Sequence, residues 1–172
     1  MPGDTVSDDP ELDVDAGITN DEYDRLFGIV ADGLIGAAGG LVGTALLTGV
    51  LLVAARVGAF RFFSFAFLTE PIGLNVTAPV TVGYLVFLAN GMVPWPLLFA
   101  ALEKYLPGRR PPVSGIFFGT ALWTGFAIGF YEGYAGVTLA LYLVLTLVAH
   151  WAYGIGLGLV FEYLTERPES LV

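Results

Sequence analysis

The chain has 172 residues, of which 56% are hydrophobic; it carries sixteen acidic residues against seven basic ones and no cysteine. Four stretches, 33–55, 71–102, 113–131 and 133–161, contain no Asp, Glu, Lys or Arg. A helix needs about 20 apolar residues to cross a bilayer core, and a spanning segment must pair its own backbone groups. We therefore expect an all-α membrane protein with four transmembrane helices and no room for a soluble catalytic domain.

The composition excludes several kinds of site. Without cysteine the chain forms no disulfide, thiolate metal site, iron-sulfur cluster or c-type haem attachment. No basic patch is present to neutralise phosphates, so we expect no nucleic-acid partner.

Charge is unevenly distributed along the chain. Nine of the acidic residues precede Arg25, so residues 1–22 are predicted to be a disordered acidic tail. Residues 23–166 form the predicted transmembrane domain, and 167–172 are a short C-terminal tail. A salt-rich cytoplasm would screen the acidic repulsion, which favours a halophilic archaeon as the source. The alternative is a tail that binds a basic partner.

The predicted elements follow the uncharged stretches. Helix 1 begins at about residue 23 or 26 and ends at 55, and it has no cleavable signal character. Residues 60–68 contain five phenylalanines, are too short to span, and are predicted to be an interfacial or re-entrant segment. Helices 2, 3 and 4 are predicted at 80–102, 113–131 and 133–161.

Basic residues predict the orientation. With four spans, five of them (Arg25, Lys104, Arg109, Arg110 and Arg167) lie on the side of the termini, whereas Arg56 and Arg61 lie opposite. This excess predicts that both termini are cytoplasmic.

One segment of helix 1 recurs in helix 3. Residues 43–49 read GTALLTG and residues 119–125 read GTALWTG, with six of seven positions identical. Helices 2 and 4 also share similar ends. The sequence therefore predicts two tandem hairpin repeats related by a pseudo-two-fold axis along the membrane normal, with the Phe-rich segment in the first repeat only.

Glycines spaced four apart predict close helix packing, because small residues let two backbones approach. A substrate path lined by glycine and threonine is the alternative. The glycines predicted to pack helices are Gly36, Gly40, Gly43, Gly115, Gly119, Gly125, Gly129, Gly154 and Gly158.

Two polar residues lie near the middle of predicted spans, Asn90 in helix 2 and His150 in helix 4. A polar side chain at this depth needs a partner. We expect a neutral His150 to form a hydrogen bond with Asn90. The alternatives are a proton relay, a quinone-facing donor, a haem ligand, or a histidine that faces lipid. A single histidine cannot build a closed metal or bis-histidine haem site, so we expect no cofactor.

Two prolines predict a kink in helix 2. Pro94 lacks the N–H that would pair the carbonyl of Asn90, and Pro96 likewise frees that of Met92. Threonine or histidine from a neighbouring helix is expected to pair these carbonyls. Alternatively, they hold water, a cation or a polar group of a ligand.

The last helix carries the motif HWAYGIGLGLV at residues 150–160. With the Gly-Thr pair of helix 1, it makes residues 27–164 resemble a family of small four-helix membrane proteins of unknown function from haloarchaea and bacteria. The resemblance implies a non-catalytic accessory subunit that accompanies haem-copper terminal oxidase components.

The expected function is therefore an accessory or structural subunit of a larger membrane complex, and no catalytic constellation predicts an enzyme. Its expected partners are the lipid bilayer and other integral membrane subunits. The alternative is a small homo-oligomeric transporter or channel with a polar site at Asn90 and His150.

Overall fold

The computed structural model describes residues 20–73 and 76–165, which form helices and no strand. The expected all-α fold is confirmed. The elements are α1 (Asn20–Arg56), a 3₁₀ helix (Phe62–Ile72), α2 (Pro79–Met92), α3 (Pro94–Leu102), a short 3₁₀ turn (Glu103–Tyr105), α4 (Pro111–Gly129) and α5 (Gly136–Thr165). The predicted acidic tail lies outside the described residues apart from 20–22, which begin α1. The C-terminal tail also lies outside them.

Four segments are long and apolar enough to cross a membrane: Gly33–Arg56, Pro79–Tyr105, Pro111–Gly129 and Gly136–Leu164. The chain is thus a multi-pass membrane protein. The second span contains both α2 and α3, which are separated only by Val93. Both helices begin at a proline, as does α4, because a residue without an N–H suits the first turn of a helix.

Helix α5 lies at the centre of the bundle. It packs against α1 on one side and α4 on the other, while α2 packs against α1 and the 3₁₀ helix. Leu51, Phe99, Tyr142 and Leu157 are fully buried in the resulting core. Helices α2 and α4 make little direct contact, which leaves a gap between them.

Most of the predicted packing glycines lie at close crossings. A Cβ built on Gly154 would lie 1.8 Å from the carbonyl oxygen of Gly115, and one on Gly119 would lie 2.2 Å from that of His150. Gly36, Gly40, Gly43 and Gly158 also lie where an added Cβ would crowd a neighbouring helix. Gly125 and Gly129 differ from the prediction: no atom is closer than 4.0 Å to an added Cβ at either position.

Both copies of the repeated segment pack against the same helix, α5. Gly43 of the first copy packs against the carbonyl of Tyr153, and Gly119 of the second copy packs against that of His150. Helix α5 therefore lies between two nearly identical helix surfaces.

The Phe-rich segment is folded into one end of the bundle. Phe60 and Phe65 are buried, whereas Phe63 remains largely exposed. The Phe65 ring contacts Phe87 of α2 at 5.0 Å and Phe130, just after α4, at 5.3 Å between ring centroids. The segment therefore joins the ends of α2 and α4 rather than only lying at the headgroup boundary.

Ion pairs lie at opposite ends of the bundle. Arg110 donates two hydrogen bonds to Glu162, at 2.6 and 2.8 Å, which joins the start of α4 to the end of α5. At the other end the carboxylate of Glu132 accepts from Arg61 and Ser64. The hydrogen bond and the charge of this carboxylate raise the pKa of the Arg61 guanidinium.

Replacing Gly154 with alanine is expected to destabilise the bundle by about 1–3 kcal/mol, the usual cost of overpacking. The added Cβ would meet a backbone oxygen of α4, which can move away only if the helices separate. Denaturant unfolding in detergent measures the change. Gly49→Ala is the matched control, since no atom lies within 4 Å of its added Cβ. Equal stability of the two variants would contradict the close crossing.

Candidate functional site

A cavity of about 480 Å³ occupies the gap between α2–α3 and α4. Thr44 of α1 and His150 of α5 lie behind it, near the middle of their spans. Trp95, Thr124 and Gly125 line the cavity and are also exposed on the surface of the bundle. The mouth therefore opens sideways between α3 and α4, toward the lipid that surrounds a multi-pass protein.

Aromatic rings form much of the cavity wall. Phe67, Phe87, Phe126 and Phe130 all line it. The rings of Phe126 and Phe130 are stacked with centroids 4.3 Å apart. The wall is thus largely apolar, and a few polar groups are placed within it, as in most small-molecule sites.

Asn90 and His150 line the same cavity. The expected hydrogen bond between them is absent from the described structure. Asn90 Nδ2 donates to the carbonyl of Val86 at 2.8 Å, and His150 Nδ1 lies 2.8 Å from the carbonyl of Thr146. Each side chain therefore bonds to its own helix, one turn earlier, and shares the cavity with the other.

The contact of His150 fixes its tautomer. A carbonyl oxygen only accepts, so Nδ1 carries a hydrogen, and in the neutral imidazole Nε2 then keeps its lone pair. Within the described residues Nε2 has no hydrogen-bond partner, and the side chain is only 4% exposed. Its ring centroid lies 4.8 Å from that of Phe126, which holds the imidazole against the cavity wall.

The predicted kink is a break in the helix, with α2 ending at Met92 and α3 beginning at Pro94. The carbonyl that a neighbouring helix pairs here is that of Gly91, which accepts from the hydroxyl of Tyr153 at 2.8 Å. The prediction named the carbonyls of Asn90 and Met92, and threonine or histidine as donors. The donor is instead a tyrosine from the central helix.

The two copies of the repeat differ at their first threonine. Thr120 donates to the carbonyl of Ile116 and accepts from the indole of Trp151 at 2.9 Å. Thr44 is 1% exposed, and its hydroxyl has no partner in the described structure. This hydroxyl packs on Gly91, whose added Cβ would lie 2.2 Å from it. Both copies contribute residues to the cavity lining, but only the first copy leaves its first threonine without a partner.

The cavity carries no formal charge, because none of its lining residues is Asp, Glu, Lys or Arg. Among the side chains that the structure describes, no three of His, Asp or Glu lie close enough together to hold a metal ion. The arrangement offers neutral hydrogen bonding inside an apolar chamber.

Sequence reasoning missed the contributions of Tyr153 and Phe67. Tyr153 follows His150 by three residues, so helical spacing places both on one face of α5, and this signal could have identified it. Phe67 has no such signal, because it lines the cavity only after the 3₁₀ helix folds against α2.

The chain belongs to a family of unknown function, DUF6789, which matches residues 30–172. Comparison with curated proteins and with solved structures found no match.

Removing the Tyr153 hydroxyl should weaken the fold. Tyr153→Phe leaves the Gly91 carbonyl unpaired, and we expect a loss of about 0.5–1.5 kcal/mol in detergent unfolding. Tyr105→Phe, at a ring that is 74% exposed, is the control and should be neutral. If Tyr153→Phe is equally neutral, this hydrogen bond does not hold the broken helix.

Proposed function

We propose that the protein is a non-catalytic membrane subunit that holds a small lipophilic molecule in its mid-membrane cavity. The observation that carries this proposal is the cavity itself, which gathers Asn90, His150 and Tyr153 around one chamber. Small-molecule sites typically have volumes of about 300–1,000 Å³, apolar walls and a few polar groups. The volume of about 480 Å³ lies in this range.

The sideways mouth supports a ligand that arrives through the lipid. Trp95 and Thr124 flank the mouth at positions that a membrane would cover. A molecule dissolved in the bilayer reaches such an opening without crossing the headgroup layer. A path for water-soluble substrates would need openings toward the two aqueous phases.

Larger membrane subunits are the proposed partners, and terminal oxidase subunits of a halophilic archaeon are the candidates that the resemblance implies. The cytoplasmic membrane is the proposed location. Purification of the tagged chain from native membranes, in mild detergent, tests the proposed partners. Co-elution with haem-containing subunits is expected. Elution as a homo-oligomer alone would favour the transporter or channel.

The cavity is tested by filling it. Gly125 lines the mouth and has no atom within 4 Å of an added Cβ, so Gly125→Leu places a bulky side chain at the mouth without crowding the backbone. Organic extraction and mass spectrometry of the purified protein should recover a small lipophile from the wild type and not from this variant. Gly49→Leu, equally free of neighbours but outside the cavity, is the matched control. Equal recovery from all three proteins would refute the proposal.

The proposed orientation has both termini in the cytoplasm. The excess of basic residues on that side is the reason. Reporter fusions after residue 172 and within 62–70 are expected to report opposite sides of the membrane. A reporter signal from outside the cell for the C-terminal fusion would contradict the proposed orientation.

A further inference from the structure

Four polar side chains that line the cavity share one feature: each donates a hydrogen to a main-chain carbonyl. The distances are 2.7–2.8 Å for Asn90 to Val86, Thr124 to Ala121, His150 to Thr146 and Tyr153 to Gly91. Each of these four side chains has thus engaged a hydrogen-bond donor with the protein's own main chain, and that hydrogen is no longer free to bind a ligand.

Hydrogen-bond acceptors remain. Once their hydrogens are engaged, His150 presents the lone pair of Nε2 and Asn90 presents Oδ1, while Thr124 and Tyr153 present hydroxyl oxygens. The further donors in the lining are fewer: the second amide hydrogen of Asn90, the indole of Trp95 at the exposed mouth, and the Thr44 hydroxyl packed on Gly91. The cavity lining therefore offers more free acceptors than free donors.

His150 supplies the strongest reason for a ligand. It is 4% exposed, it lines the cavity, and its Nε2 has no partner among the described residues. An acceptor that faces an apolar cavity without a donor forgoes a hydrogen bond, at a cost of about 1–3 kcal/mol. A molecule in the cavity that donates a hydrogen bond would remove this cost.

Charge and shape narrow the class of molecule. No charged side chain lines the cavity, so a cationic donor would lose its hydration without gaining a counter-charge. The walls formed by Phe67, Phe87, Phe126 and Phe130 favour a ring, which stacks on aromatic faces.

We propose that the cavity selects a neutral, ring-bearing lipophile whose polar end is a hydroxyl, which shares its single hydrogen between Nε2 of His150 and Oδ1 of Asn90. This inference rests on the proposed function, since it names the chemical class of the ligand. Ketones and ethers of the same shape lack the donor and should bind less well.

A matched pair of probes tests the donor. Para-hexylphenol and para-hexylanisole differ in one methyl group, which removes the hydroxyl hydrogen. Binding of each to the full-length protein in detergent is measured by isothermal titration calorimetry. We expect the phenol to bind about tenfold more tightly, the effect of one hydrogen bond to an otherwise unpaired acceptor.

Variants assign this preference to the proposed acceptors. Asn90→Leu and His150→Leu remove one acceptor each and should reduce the preference for the phenol at least about threefold, with little change for the anisole. Asn90 is only half buried and bonds its own helix, so this variant remains informative if His150→Leu does not fold. Gly125→Leu should abolish binding of both probes.

The outcomes are distinct. Equal binding of phenol and anisole by the wild type would overturn the donor inference while leaving a lipophile site intact. A phenol preference that survives both acceptor variants would also overturn it. Binding of neither probe, or undiminished binding by Gly125→Leu, would overturn the proposed function and this inference together.

Discussion

Three helices meet at the main chain of Gly91, and the rest of the bundle is arranged around this point. Pro94 and Pro96 break the second span, and an unpaired carbonyl in hydrocarbon costs several kcal/mol. The Gly91 carbonyl is paired by Tyr153 of α5 and lies where only a glycine at position 40 of α1 leaves room. One carbonyl group thus sets the distances among α1, α2 and α5.

The cavity follows from an unequal use of the internal repeat. A pseudo-two-fold axis would pair α4 with α2 as closely as it pairs α1 with α5. Both copies of the repeated segment instead pack on α5, and the broken second span stays with α1. Where that contact is missing the cavity remains, and Phe67 of the 3₁₀ helix closes it at one end against Phe130.

Much of the fold could be predicted, because uncharged stretches indicate membrane spans and prolines indicate breaks in a helix. The rotation of each helix about its own axis could not be predicted, because the lipid and the protein core both accept the same apolar side chains. Gly125 and Gly119 show this: both belong to four-residue glycine spacings, yet Gly119 meets α5 and Gly125 lines the cavity. Asn90 and His150 were likewise placed at similar depth, but sequence does not reveal that each bonds its own helix.

The surplus of acceptors has a general origin in helical backbone. A polar hydrogen on a helix can reach the carbonyl three or four residues earlier, as His150 reaches Thr146 and Thr124 reaches Ala121. Acceptor atoms have no such local partner, because the main-chain N–H groups are engaged within the helix. A cavity between membrane helices therefore satisfies its own donors first and presents acceptors. How strongly such a cavity favours a donating ligand then depends on how deeply those acceptors are buried, and here the unpaired Nε2 belongs to a His150 side chain that is only 4% exposed.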